Sequence, residues 1–360
     1  MRLRGGVASA CDLRRLGNHG RADRAAVACR FMNAHTSVVA RSLGLGALSA
    51  MVPHNALAHG AGVPQPTPLS ALTSWSIDPL PWATALVAAA GYLLLVRRVN
   101  GAHPRTRVPR WRVALWLAGL ATILVALVSA VDVYADSLLT VHMIQHLLLA
   151  MVAPPLLALG APVTLLLRAA SPSLRGRLIL PVLHASVVRV LASPVFAWPA
   201  FAVVMVLVHF SALYEAALED STLHIAEHVL FLAAGMLFWW PVVAADPIHR
   251  RMSYGARLVY VVLQMPLNAA VGLAIYFAPT VLYAHYVTLQ RSWGPDALTD
   301  QQIGGVVMWG VGDLVLLLAV PALVTAWMRA DIARSERRDA RLIAAQARSL
   351  AGSHRGDRSR

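Results

Sequence analysis

The sequence contains no lysine and, past residue 29, no cysteine; only 13% of its 360 residues are charged, against roughly a quarter in a soluble domain. Each shortage removes a class of chemistry. Without a lysine amine, no retinal or pyridoxal Schiff base can be held covalently. Cys11 and Cys29 are the only thiols, so everything downstream can form neither a disulfide nor a thiolate metal site. The scarcity of charge, with 58% hydrophobic residues and a mean hydropathy of +0.60, excludes an ordinary soluble globule. The formal charge of +14 comes from 31 arginines against 17 acids. Those arginines fall in short runs between apolar segments rather than on one continuous face. They read as membrane-topology signals and not as a nucleic-acid footprint.

Residues 1–58 read as a leader. An arginine-rich stretch ends at Arg41, a short apolar core runs from Ser42 to Val52, and Ala56-Leu57-Ala58 has the small-x-small pattern of a cleaved signal peptide. Met32 would give a leader of ordinary length, which makes residues 1–31 an over-long start. The alternative is a first membrane helix that stays attached, but the apolar core is short for about 30 Å of hydrocarbon. Cleavage after Ala58 would leave His59 as the mature N-terminus, whose imidazole and amine can bind copper together. Residues 59–79 then form an exterior segment.

Seven apolar stretches follow, at about 80–96, 113–131, 142–167, 194–213, 225–244, 257–278 and 303–328. The segments between them alternate in charge. Six arginines lie in 97–112, four in 168–193, three in 245–257 and nine from Arg329 onward, whereas the intervening loops carry Asp132 and Asp136, then Glu215, Glu219 and Asp220, then Asp296 and Asp300. The expected fold is therefore an all-α polytopic membrane protein. It is a bundle of seven transmembrane helices over 80–328, with the N-terminus outside and the arginine-rich tail, 329–360, inside. That tail reads as a helix that fades toward its end. Prolines recur within the spans (Pro154, Pro155, Pro162, Pro199, Pro266, Pro321) and permit kinks.

Ionisable residues inside spans are functional candidates by default. Of the eleven histidines from His59 onward, seven map to the exterior side: His59, His142, His146, His209, His224, His228 and His285. Two pairs four residues apart, His142/His146 opening the third span and His224/His228 opening the fifth, each share a helical face. His209, Met143, Met205 and Met308 lie at comparable depth. Imidazole with thioether and no thiolate favours copper; zinc with Glu227 or Asp132 and a water would instead make a hydrolase. A haem held by histidine pairs is a third reading. A transporter is disfavoured, because the ionisable groups stop in the outer half. His285 reads as a loop histidine as readily as a ligand. Asp300 is expected to cap the seventh span, and Gly304 and Gly305 to allow close helix contact.

His142-Met143-Ile144-Gln145-His146-Leu147-Leu148-Leu149, followed by Ala153-Pro154-Pro155 and on to Pro162, resembles the signature of the multi-span CtaG-type cytochrome c oxidase assembly factors. The stretches His209–Leu218, Phe238–Val242 and Asp300–Gly305, with Met308-Trp309-Gly310, are similar to the same family. The resemblance covers about 59–328. A proline common after His209 in relatives is replaced here by Ser211. The resemblance implies a bacterial inner-membrane protein, not an enzyme, that delivers copper to the CuB centre of the catalytic subunit of a haem-copper oxidase. It implies copper arriving at the exterior face, from a periplasmic donor where there is one; the scattered arginines already argue against a nucleic-acid partner. The matching histidines are His142, His146, His209, His224 and His228, with Met143, Met308 and His59 as further candidate ligands. The single-span oxidase copper chaperones of similar name carry a cysteine pair that this chain lacks.

Overall fold

The computed structural model describes residues 65–247, 251–289 and 291–357. The leader, its cleavage site and His59 lie outside the described residues. Within them every regular element is helical. In chain order these are α1 (Pro68–Thr73), α2 (Pro79–Ala102), α3 (Arg110–Val128), α4 (Ala130–Ala135), α5 (Leu139–Leu147), α6 (Ala153–Leu159), α7 (Pro162–Ala169), short turns over 172–191, α8 (Pro194–Phe210), α9 (Ala212–Glu219), α10 (Ser221–Val243), α11 (Tyr254–Tyr276), α12 (Ala284–Thr288) and α13 (Ala297–Asp357).

Six helices are long and apolar enough to cross a membrane, or seven when the bent pair α8 and α9 counts as one span. The third crossing is composite, running from Leu139 to Ala169. The fourth departs from the expected single helix over 194–213. It breaks at Ser211, whose backbone is extended and whose hydroxyl accepts from Leu213 N at 3.2 Å, so that α9 leaves α8 at 68°. Here the serine restarts the helix that it interrupts. The arginine-rich tail continues α13 as helix through Asp357.

Leucine, valine and alanine hold these helices together, and the apolar side chains that remain exposed mark the lipid-facing sides. Leu86, Val87 and Leu94 on α2, Val203 and Leu207 on α8, and Val259 and Leu263 on α11 all point outward. In water such a surface would be costly, whereas against acyl chains it is neutral. The composite third crossing is the hub, packed against α3, α10 and α13, while α8 packs on α10 and α11 on α13. Small residues permit the closest approaches. A methyl on Gly272 would stand 2.7 Å from the Gly305 carbonyl oxygen, and one on Gly235 would overlap the Ala150 carbonyl. Gly304 has ordinary clearance of 3.5 Å, so of the expected glycine pair only Gly305 is needed for contact.

The hub helix changes its winding between α5 and α6. Leu148–Val152 forms a π-turn, with Ala153 N donating to Leu148 O. Pro154 and Pro155 supply no N–H, so the carbonyls one α-turn before them, Ala150 and Met151, lose their regular donors. The wider turn takes up that mismatch just below His146.

Candidate metal centre

α5 carries the first ligands, and its start is fixed by a residue distant in sequence. Asp300 accepts from Leu139 N at 2.7 Å, Thr140 N at 3.2 Å and Thr140 Oγ1 at 2.7 Å. This corrects the expectation that Asp300 caps its own helix. Asp296 takes that role, accepting from Leu298 N and Thr299 N at 3.1 Å each, and Asp300 caps the third crossing from α13. Its charge sits at the helix N-terminus, where exposed N–H groups favour an anion.

His142 and His146 follow on one face of α5, with their Nε2 atoms 2.8 Å apart. Tyr286 donates its hydroxyl proton to Ala135 O at 3.1 Å and lies 3.3 Å from His142 Nδ1. With the proton on Nδ1 shared with the Tyr286 oxygen, His142 Nε2 accepts from His146 Nε2–H. His209 is held in the same way. Its Nδ1–H donates to Met205 O at 2.7 Å, and its Nε2 has no partner. A ring nitrogen tied to a carbonyl, with the other turned toward its neighbours, is the arrangement of a metal-ligating histidine.

α10 brings the second pair. The His224 ring lies 5.4 Å from that of His142 and 4.3 Å from that of His228, and the His228 ring lies 6.3 Å from that of His146. His209 from α8 is 5.8 Å from His146. All five predicted histidines of the spans thus converge, from three crossings. Glu227 stands among them, with Oε2 3.9 Å from His142 Nε2 and Oε1 3.7 Å from His146 Nε2. Donor atoms of His142, His224 and Glu227 lie within 4.8 Å of one another, the one such trio among the described residues. That spacing is wider than the roughly 3.3 Å between tetrahedral ligands of a single ion held at about 2 Å, so the side chains would close inward on an ion. Tyr214 covers the cluster with its ring 5.1 Å from His142, and Phe231 lies beneath, 4.1 Å from His146.

The cluster is buried apart from one edge. His142 is fully buried, His146, His209, Glu227 and His228 nearly so, and His224 is half-buried at the mouth. Asp220, exposed beside it, caps α10 through Thr222 N and Leu223 N. Those backbone donors, Leu223 first, hold its carboxyl below the usual carboxylate range, so the mouth carries a negative charge. Within the cluster, His146 Nδ1, His209 Nε2, His228 Nε2 and both Glu227 oxygens have no hydrogen-bond partner. Each such buried group costs about 1–3 kcal/mol when left unsatisfied. Ordered water or a bound cation would satisfy groups of this kind.

Two predicted residues are placed elsewhere. Asp132 accepts from Gln145 Nε2 at 3.1 Å and does not reach the imidazoles, so Glu227 is the carboxylate of the site. His285 is bound to the Asp136 carbonyl at 3.0 Å, and its backbone N donates to Glu215 at 2.7 Å. His59 lies outside the described residues. Met143 and Met308 line a small cavity of about 10 Å³ that touches His146 and His209, together with Met151 and Met205. Sequence reasoning did not single out Met151, Tyr214, Phe231 or Tyr286. A roomier recess of about 630 Å³ lies on another face, lined by Arg168, Arg175 and Arg251, and holds none of the candidate ligands. α11 also carries a buried polar stripe, Arg257, Tyr260, Gln264 and Asn268 at helical spacing, so polarity is not confined to the histidine end.

A family model described as the cytochrome c oxidase caa3 assembly factor matches residues 90–330. Proteins of Mycobacterium bovis and Mycobacterium tuberculosis, both described only as uncharacterised, are 32% identical over 292 residues; the match covers 78% of this chain and 43% of theirs. A Mycobacterium leprae protein, also uncharacterised, is 32% identical over 280 residues, with 76% and 42% covered. The chain thus spans less than half the length of these curated relatives. No solved structure matches. Over the helices that carry the histidine cluster, and over two thirds of its length, the chain belongs to the cytochrome c oxidase caa3 assembly factor family.

Proposed function

We propose that the protein is a membrane copper chaperone. It receives copper at its exterior face, holds it among His142, His146, His209, His224, His228 and Glu227, and releases it by ligand exchange to the CuB centre of a haem-copper oxidase catalytic subunit. The observation that carries this reading is the set of buried nitrogen and oxygen atoms without partners, converging from α5, α8 and α10. Family membership supplies the oxidase as the client. Five imidazoles and one carboxylate suit copper as they suit other first-row ions, and the neighbouring thioethers favour Cu(I). The half-buried His224 and the anionic Asp220 make the mouth a receiving edge for a cation handed over by a periplasmic donor. The arginine-rich segments set that mouth on the exterior side of the inner membrane. The cavity that touches His146 and His209 is about 10 Å³, room for about one water.

The test is elemental analysis of the full chain, purified in detergent and loaded with copper. The wild type should retain copper, and the His142→Ala/His146→Ala double variant should lose the cluster-bound ion while still inserting. Glu227→Gln removes the cluster's one carboxyl group at nearly constant volume. Outer-shell changes alone cost about 10–100-fold in metal affinity, so about tenfold is the floor for this one. Unchanged copper content and affinity in both variants would refute the assignment.

A further inference from the structure

The four methionines around the small cavity have no part in the imidazole cluster, yet they are arranged as a set. Met143 comes from α5, Met151 from the π-turn, Met205 from α8 and Met308 from α13. All are buried, with exposures of 1%, 3%, 6% and 3%. Four methionines from three crossings thus line one void of about 10 Å³ in the interior of a membrane protein, with His146 and His209 at its border. That volume holds about one atom-sized guest. The unpartnered, deeply buried His209 Nε2 points to a ligand, because its Nδ1 is already committed to the Met205 carbonyl. Asn268 at the far wall donates to the carbonyls of Met308 and Trp309 at 3.3 and 3.4 Å and to Asp313 at 3.0 Å. These bonds hold the Met308 backbone in place, as an outer support of a binding residue would.

We propose that this chamber is a second copper station, selective for Cu(I), adjoining the imidazole cluster and sharing His146 and His209 with it. Thioether sulfur is a soft, uncharged donor that binds Cu(I) and discriminates against Cu(II) and Zn(II), which favour the imidazole and carboxylate side. A monovalent ion also carries the smallest charge that a site among apolar side chains must accommodate. Copper entering at His224 as Cu(I) can therefore change ligands stepwise, from imidazole and carboxylate to imidazole and thioether, with no change of oxidation state and without leaving the protein. The two stations differ in chemistry, so oxidation state selects between them.

The inference rests on the copper reading of the cluster and is tested so that the two can fail separately. The probe is copper alone, titrated into the detergent-purified full chain as Cu(II) in air and as Cu(I) under reductant, with X-ray absorption reporting the scatterers. The expected result is about one Cu(II) with nitrogen and oxygen neighbours only, and about two Cu(I) with sulfur in the shell. The paired variants Met143→Leu/Met151→Leu and Met205→Leu/Met308→Leu nearly conserve volume; each should lose one Cu(I) and the sulfur signal while keeping the Cu(II) site. Selenomethionine labelling of the wild type gives the same readout without substitution, as selenium neighbours of copper. Cu(I) bound with nitrogen neighbours only, unaffected by either Met variant, overturns the chamber and leaves the chaperone reading intact. No copper bound in either oxidation state overturns both.

Discussion

At the residue scale, the cluster illustrates what spacing can and cannot reveal. Pairs four apart put His142 with His146 and His224 with His228 on common helix faces, and the structure brings both pairs and His209 together. Depth alone could not separate Glu227 from Asp132 as the carboxylate of the site, because periodicity assigns faces but not neighbours. Gln145 decides it by holding Asp132 at a distance from the imidazoles. Asp132 has a testable consequence of its own. Burial, with Asp136 nearby, pushes its carboxyl up from 3.8 to about 7. A raised acid stabilises the fold below its unfolded value and loses that contribution as pH climbs through about 7. At about 1.4 kcal/mol per unit the bound is about 4 kcal/mol, and partial contact with solvent lowers it to a couple. Asp132→Asn should therefore raise the unfolding temperature at pH 8 and leave it nearly unchanged at pH 4, measured by thermal melts in detergent. An equal shift at both pH values would show that charge burial is not the cause.

At the element scale, the helices were legible and their irregularities were not. Apolar length marks each crossing, but the break at Ser211 and the π-turn at Leu148–Val152 depend on which backbone groups lose their donors. The π-turn also explains why Met151 escaped notice. In an unbroken α-helix at 100° per residue it would sit about 80° round from Met143, and the wider winding draws it back toward that side. Asp300 is the comparable case between elements: its own helix was its obvious client, yet its carboxylate caps α5 at a sequence distance of 160 residues. Replacing it with alanine would strip Leu139 N, Thr140 N and Thr140 Oγ1 of their acceptor. Losing such a cap costs about 0.5–2 kcal/mol, with buried donors adding to it. Because α5 carries His142 and His146, Asp300→Ala should lower both the unfolding temperature and copper retention. Thr140→Val, which removes one donor along with its need, should do much less. If copper retention is untouched while stability falls, the cap supports the fold but not the register of the ligands.

At the scale of the whole molecule, orientation decides what the site can serve. Two features of the sequence bear on it: arginine runs alternate with acidic loops along the chain, and seven of the eleven histidines from His59 onward gather on the side of the acidic loops. The structure adds that the cluster's half-buried edge, at His224, lies beside the acidic Asp220, while Arg168, Arg175 and Arg251 line a recess away from it. If the positive-inside rule governs insertion, the first surface is exterior and the second cytoplasmic. The near absence of cysteine makes this measurable. With Cys11 and Cys29 changed to serine, the chain has no thiol, so a single introduced cysteine reports its own side without background. Glu219→Cys, at the exposed end of α9, should react with a membrane-impermeant maleimide in intact spheroplasts. Arg175→Cys, exposed in the segment after α7, should react only after the membrane is opened. The reverse pattern would turn the cluster's mouth to the cytoplasm, and the copper would then have to come from the cytoplasm rather than from an exterior donor.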